Sequence, residues 1–137
     1  MGQQQLLLIV LSVIIVGIAV VVGINMFSAS AASANLEAVT SDLLNLAARA
    51  QQYYVKPASM AGGGNSFVGL TANAAGLAKL TPKATNDNGT YSISTAGTGT
   101  LVGIQGVGVL DGDGAGGNCK VTVTVTKDAI TTVVNSR

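Results

Sequence analysis

The chain opens with a hydrophobic segment that has no polar face. Residues 6–24 are apolar except for Ser12, Gly17 and Gly23, and the first 36 residues contain no charged side chain. Residues 6–27 predict a helix of membrane length, because a helix rises about 1.5 Å per residue and roughly 20 apolar residues cross a bilayer. Such a segment requires lipid or other apolar helices around it. Its large apolar residues are Leu6, Leu7, Leu8, Ile9, Val10, Leu11, Val13, Ile14, Ile15, Val16, Ile18, Val20, Val21, Val22, Ile24, Met26 and Phe27.

A cleavable secretory signal is the alternative interpretation of this segment. Small residues suit cleavage after Ala31 or Ala34. A signal peptide also has a positively charged start and an apolar core of about 7 to 15 residues. This chain has no basic residue before Arg49 and its apolar core is longer, so the pattern favours a retained helix.

The pattern then changes from apolar on all sides to apolar on one side. Residues 28–35 contain neither Pro nor Gly, so the helix is predicted to continue through them. After this stretch the apolar positions recur three and four residues apart, which places them on one stripe of a helix. The stripe comprises Leu36, Val39, Leu43, Leu46, Ala50 and Tyr53. Pro57 and the glycines at 62–64 end the pattern, which predicts one helix of about 50 residues, roughly 80 Å long.

The remainder of the chain is rich in Gly, Thr and Ser and predicts short strands. The clearest strand has Val121, Val123 and Val125 alternating with threonines, so one face is apolar. A short helix is predicted at 72–80, and strands are predicted at 90–94, 100–110, 120–127 and 129–134. The fold class is therefore α+β, with the long helix packed on a small antiparallel sheet. The predicted segments are 1–28 and 29–56 for the two halves of the helix, 57–89 for a loop with the short helix, and 90–137 for the sheet.

Composition excludes several classes of function. The net charge is +1, only 9% of residues are charged and the basic residues are spread along the sequence, so no nucleic-acid surface is predicted. Histidine, the commonest general base and metal ligand, is absent. We therefore expect no enzyme, no catalytic residue, no cofactor and no metal site. The single Cys119 suits a buried apolar position, a free thiol or a crosslink to another subunit.

Three short motifs have weaker implications. Asn88-Gly89-Thr90 is an N-glycosylation sequon in a predicted turn, so Asn88 is a possible glycosylation site. Residues 111–114 resemble the start of a calcium loop but lack its later ligands, and a Gly-rich hairpin loop is the better interpretation. The glycines at 62–64 are interpreted as a linker, because no phosphate-binding Lys accompanies them.

The order of these elements resembles a type IV pilin or pilin-like filament subunit. The resemblance covers about 55 residues in sequence and the rest only in architecture. It implies a structural subunit of an extracellular filament at the cell surface, held in the cytoplasmic membrane before assembly. The implied partners are copies of the chain itself, that inner membrane, a prepilin peptidase and an ATP-driven assembly machine. Adhesion, motility, DNA uptake and scaffolding all use this subunit plan.

The resemblance also assigns a role to the first residues. If the chain begins at its mature end, Met1 carries the terminal amine, and Gln5 stands where bacterial pilins typically have Glu. An amide oxygen can accept a hydrogen bond from the amine of a neighbouring copy. Met1, Gln3, Gln4 and Gln5 are then the assembly head. Cleavage after Gly2 is a second possible register, and a polar cap at the membrane surface is the alternative role for the glutamines.

Two other functional classes fit the same helix. One is a membrane-anchored surface protein that does not polymerise, although the charged flanks that fix membrane topology are missing from its sequence. The other is a minor pseudopilin, a pilin-like component of a secretion system.

The head hypothesis predicts that Gln5→Leu lowers the yield of filaments, because leucine cannot accept a hydrogen bond from a neighbouring amine. The measurement is filament yield in sheared surface fractions by negative-stain microscopy. Equal yields from the variant and the wild type would reject a role for Gln5 in the head.

Overall fold

The long helix is continuous from its apolar half into its amphipathic half. The computed structural model describes residues 2–112 and 116–136. Helix α1 spans Gly2–Val55, 54 residues, and is therefore about 80 Å long. Gly17 and Gly23 do not interrupt it. The helix ends two residues before Pro57, as expected from the restriction that proline places on the residue before it.

The glycine segment after α1 connects the helix to the rest of the chain, as a linker does, and it also caps the helix end. The backbone N–H groups of Gly63, Gly64 and Asn65 donate to the carbonyls of Tyr53, Lys56 and Tyr54, at 2.7, 2.9 and 2.8 Å. These carbonyls lie in or just beyond the last turn, where a helix leaves its acceptors unpaired. A single turn of 3₁₀ helix, Ala58–Met60, lies within the returning chain. Gly64 has a φ of +56°, a conformation that favours glycine.

Four strands form one antiparallel meander in chain order. Their bounds are β1 Gly89–Thr95, β2 Leu101–Gly108, β3 Lys120–Thr126 and β4 Ile130–Ser136. The short helix α2 spans Ala74–Ala78, and the side chain of Asn73 caps it by accepting from the Gly76 N–H. The structure confirms the predicted α+β class. Three elements are shorter than predicted, since α2 is narrower than 72–80, β2 ends at Gly108 instead of residue 110, and β3 ends at Thr126 instead of residue 127.

Strand β2 ends early because a helix side chain takes over its hydrogen bonds. The Gly108 N–H still donates to the carbonyl of Cys119 at 2.8 Å. The next N–H group, that of Val109, donates to Oδ1 of Asn35 on α1 at 3.0 Å. Gly103 and Gly106 do not interrupt β2, because both residues remain paired with β3.

The core lies between the second half of α1 and the inner face of the sheet. Val39 and Leu43 are wholly buried, as are the alternating valines of β3. Phe67 and Leu70, from the segment between the helices, are also wholly buried. The other sheet residues of this core are Tyr91, Ile93, Val102 and Ile104.

A glycine in β2 sets how closely α1 approaches the sheet. A Cβ atom at Gly106 would lie 2.7 Å from Cγ1 of Val39 and 3.1 Å from Cδ1 of Leu43. It would also lie 3.0 Å from Cε1 of Tyr91. The helix therefore rests on the sheet where β2 has no side chain.

We expect Gly106→Ala to lower the free energy of unfolding by about 1–3 kcal/mol, the usual range for overpacking a well-packed core. The measurement is thermal unfolding of the full chain in detergent, followed by circular dichroism. Gly99→Ala is the matched control, because a Cβ there meets nothing within 4 Å. Equal destabilisation by the two substitutions would contradict this account of the helix–sheet contact.

Candidate functional site: the exposed half of α1 and its anchors

No described part of the protein packs against the first half of α1. Every residue from Gly2 to Ser30 is exposed. The seventeen large apolar residues from Leu6 to Phe27 range from 50% exposed at Val22 to 77% at Phe27. These residues, here called the apolar rod, are the largest unsatisfied hydrophobic surface in the described chain. Over the residues that the structure describes, α1 is the one helix long and apolar enough to cross a membrane.

Polar groups within and before the apolar rod are few. The Ser12 hydroxyl donates to the carbonyl of Leu8 at 2.7 Å, so the helix satisfies it internally. Gln3, Gln4 and Gln5 lie in the first turns of α1 and are exposed. Met1, the remaining residue of the predicted head, lies outside the described residues. The structure thus places three of the four head residues together at the start of the rod.

The second half of α1 buries the stripe that the sequence indicates. Val39, Leu43, Leu46, Ala50 and Tyr53 are buried, and Leu36 is partly buried against the same core. Two small residues also belong to this contact: Ala32 is 4% exposed and Ala47 is wholly buried. The change from full exposure to one-sided burial therefore begins at Ala32.

Asn35 anchors the helix to the sheet close to this transition. Its Nδ2 donates to the carbonyl of Asn88 at 2.8 Å, while its Oδ1 accepts from the Val109 N–H. The thiol of Cys119 lies 3.3 Å from the same oxygen and is wholly buried. Because Cys119 is wholly buried, it is a small residue of the packed interior, as one of the sequence interpretations expected.

Asp42 is a second polar anchor. Its Oδ2 accepts from Nδ2 of Asn88, Nδ2 of Asn86 and the Tyr91 hydroxyl, at 2.9, 2.9 and 2.6 Å. The amide of Asn88, the Tyr91 hydroxyl and the amide of Asn86 stabilise the carboxylate and lower the pKa of Asp42, against the opposing effect of burial. Burial and the neighbouring Asp42 carboxylate raise the pKa of Tyr91 above its usual range. Asp42 is therefore an ionised acceptor, and its three hydrogen-bond donors are neutral.

The sequon asparagine is part of this anchor. Nδ2 of Asn88, the atom that would carry an N-linked glycan, donates to Asp42, and the residue is half-buried. Glycosylation at Asn88 stays a prediction, and a glycan there would attach beside the contact between α1 and the β1 turn.

A pattern in the sequence could have revealed both anchors. Asn35, Val39, Asp42 and Leu46 are spaced four, three and four residues apart, so the two polar residues lie along the buried stripe. A polar residue at such a position needs partners from the rest of the fold. The sequence does not reveal which residues these partners are, because they lie 44 or more residues away along the chain.

No group of three or more His, Cys, Asp or Glu side chains is placed to hold a metal ion among the residues the structure describes. A groove of about 560 Å³ lies beside α1 and is open, with Asp42, Arg49 and Lys83 among its lining residues. The carboxylate in this groove is that of Asp42, which accepts the three hydrogen bonds described above.

No protein-family model, curated protein or solved structure matches this chain.

The Asp42 anchor predicts that Tyr91→Phe lowers the free energy of unfolding by about 1–2 kcal/mol, because one donor to a charged acceptor is lost while the ring remains. Tyr54→Phe is the matched control, since Tyr54 packs its ring on Phe67. The measurement is thermal unfolding in detergent at pH 7. Equal losses from both variants would contradict the role of the hydroxyl.

The lowered pKa of Asp42 also predicts a pH dependence. A carboxyl group whose folded pKa is below its unfolded value stabilises the fold above the unfolded pKa, about 3.9, and loses this contribution as pH falls through the folded pKa. Wild-type stability should therefore fall more steeply below about pH 4 than that of Asp42→Asn. Parallel stability curves for the two proteins between pH 2 and pH 5, roughly the range of these pKa values, would contradict the prediction.

Proposed function

We propose that this chain is a structural subunit of an extracellular, type IV pilus-like filament, in which the apolar rods of many copies pack together. The single observation that carries the proposal is the apolar rod itself, which is exposed on all sides and continuous with a helix half that is anchored to the sheet.

The free energy of hydration supports association of the rods. Burying a Leu, Ile or Val side chain is worth roughly 1.5–3 kcal/mol, and the rod has seventeen large apolar residues that are at least half exposed. Exposure of one rod to water therefore disfavours an isolated subunit by tens of kcal/mol, to order of magnitude. Lipid removes this penalty before assembly, and other rods remove it afterwards.

The rigidity of α1 supports a filament over a simple anchor. The helix has no break between the rod and the half that carries the sheet, so the position of the rod fixes the position of the domain. A central bundle of rods would then carry the sheets as an outer layer, with the same head-to-tail contact repeated along the polymer. An anchor alone does not require this continuity.

The filament proposal includes partners that the chain does not supply. The subunit would reside in the cytoplasmic membrane, be processed by a prepilin peptidase and be extracted by an ATP-driven machine. The finished filament would lie outside the cell.

The test is to shear surface fractions from cells that produce the chain, examine them by negative-stain microscopy and identify the fibre subunit by mass spectrometry. We expect long thin fibres made of this chain. The triple variant Leu7→Ala, Leu11→Ala and Ile14→Ala should reduce fibre yield about tenfold or more, because each truncation in a packed core weakens it by about 2 kcal/mol or more. Its membrane fraction should remain populated, since alanine keeps the segment apolar.

The matched control truncates exposed apolar residues outside the rod, with Val68→Ala, Val133→Ala and Val134→Ala. This variant should assemble like the wild type. A wild-type chain found only in the membrane fraction, without fibres, would contradict the proposal and favour the non-polymerising anchor. Fibres in which this chain is a rare component would favour a minor pseudopilin.

A further inference from the structure

The fold gathers basic residues that are spread along the sequence. Four of the seven basic side chains line two neighbouring grooves that share Arg49. One groove, of about 560 Å³, adds Lys83, and the other, of about 280 Å³, adds Lys56 and Lys79. All four side chains are exposed. We call Arg49, Lys56, Lys79 and Lys83 the basic strip.

Among the described residues, no acidic side chain forms an ion pair with the basic strip. The ion pair among the described residues joins Lys127 and Asp128, in the turn between β3 and β4. The Asp42 carboxylate in the larger groove accepts hydrogen bonds from three neutral donors. Backbone carbonyls hold two members of the strip: Arg49 donates to Leu80 at 3.0 Å and Lys79 to Gly69 at 2.7 Å. Four basic side chains and one carboxylate line the two grooves, so the strip presents a net positive charge to a partner.

An acidic side chain stands at the other end of the amphipathic half of α1. Glu37 is exposed and lines a recess of about 320 Å³ together with Ala29, Ala32, Ser33 and Gly112. We call this the Glu37 recess. Glu37 precedes Arg49 by 12 residues on one continuous helix, an axial separation of about 18 Å.

We propose that the Glu37 recess of one copy docks against the basic strip of another copy, as the head-to-tail contact of the filament. This inference rests on the proposed function. Opposite charges at the two ends of the same helix half give complementary surfaces on neighbouring copies. The contact is heterologous, so it repeats without closing.

The axial shift required by this contact is compatible with packing of the apolar rods. Moving one copy by about 18 Å brings its Glu37 level with Arg49 of its neighbour. Residues 6–15 of the moved copy then lie level with residues 18–27 of the neighbour, so about 15 Å of apolar rod remains shared between them. One displacement therefore satisfies both contacts.

The position of the basic strip disfavours a lipid headgroup as its partner. Arg49 lies 22 residues beyond Phe27 on a continuous helix, which is about 33 Å along the axis from the end of the apolar rod. A helix that spans the bilayer with this rod holds the strip well outside the headgroup region unless it lies nearly flat.

The experiment is a charge swap in cells that produce the full chain. Glu37→Lys and the double variant Arg49→Glu, Lys83→Glu should each reduce filament yield about fivefold or more, because an attraction repeated at every subunit becomes a repulsion. The combined variant, with all three reversals, should recover yield to within about twofold of the wild type, since the charges are again opposite. Lys120→Glu with Lys127→Glu is the matched control outside the strip and should assemble normally.

A second strip variant separates docking from folding. Lys56→Glu with Lys83→Glu leaves the hydrogen bond from Arg49 to Leu80 intact, and it should lose filaments to a similar extent. Thermal unfolding of each variant in detergent verifies that the monomer is folded.

Unchanged yield from the reversals in folded protein, or no recovery in the combined variant, would overturn the inference while the proposed function stands. Absence of wild-type fibres would instead overturn the proposed function. A gel-shift experiment with a short DNA duplex and sheared wild-type fibres tests a nucleic-acid partner. Salt-sensitive DNA binding that the strip reversals abolish without reducing filament yield would also overturn the docking inference.

Discussion

Apolar side chains on every side of a helix cannot be buried by one small sheet, which has a single inner face. In this chain the sheet covers one stripe of α1 and is anchored only to its second half, while the seventeen large residues of the apolar rod project beyond it. The apolar rod must therefore be surrounded by a medium that shields its side chains from water. A bilayer and a bundle of identical helices are the two media that do so without exposing backbone groups, since an α-helix satisfies its own hydrogen bonds. The proposed passage from membrane to filament exchanges one of these environments for the other.

Attachment of the sheet turns this requirement into a defined geometry. Gly106 lets α1 lie close to β2, and Asn35 and Asp42 bind the helix to the turns around the sheet. The returning chain at Gly63 caps the far end of the helix. Because α1 has no break, a force applied to the rod acts directly on the domain and a contact made by the domain fixes the axial position of the rod. In the proposed filament, a charged docking contact of modest strength would then set the spacing, while hydrophobic burial would supply most of the stability.

Local patterns predicted most of the fold, and distant contacts account for most of what was missed. The alternation of Val121, Val123 and Val125 with threonines identified β3, and the stripe on α1 identified the face that meets the sheet. Hydrogen-bond partners were not predictable, because Asn35 meets Asn88 across 53 positions and Asp42 meets Asn86 across 44. The early end of β2 is tied to another distant contact, in which Oδ1 of Asn35 accepts from the Val109 N–H. The basic strip was missed for the same reason, since its four members come from two separate parts of the chain. The sequence indicated a linker at the glycines 62–64, and it did not reveal that this segment returns the backbone onto the helix end.

The central claim is that the apolar rod is buried against copies of itself. Helical reconstruction by electron cryomicroscopy of sheared fibres tests it most directly. The account predicts continuous helical density near the filament axis, with residues 6–27 enclosed by the same residues of neighbouring subunits and the sheets on the outside. A reconstruction with the sheets at the axis and residues 6–27 outside any helix bundle would contradict it.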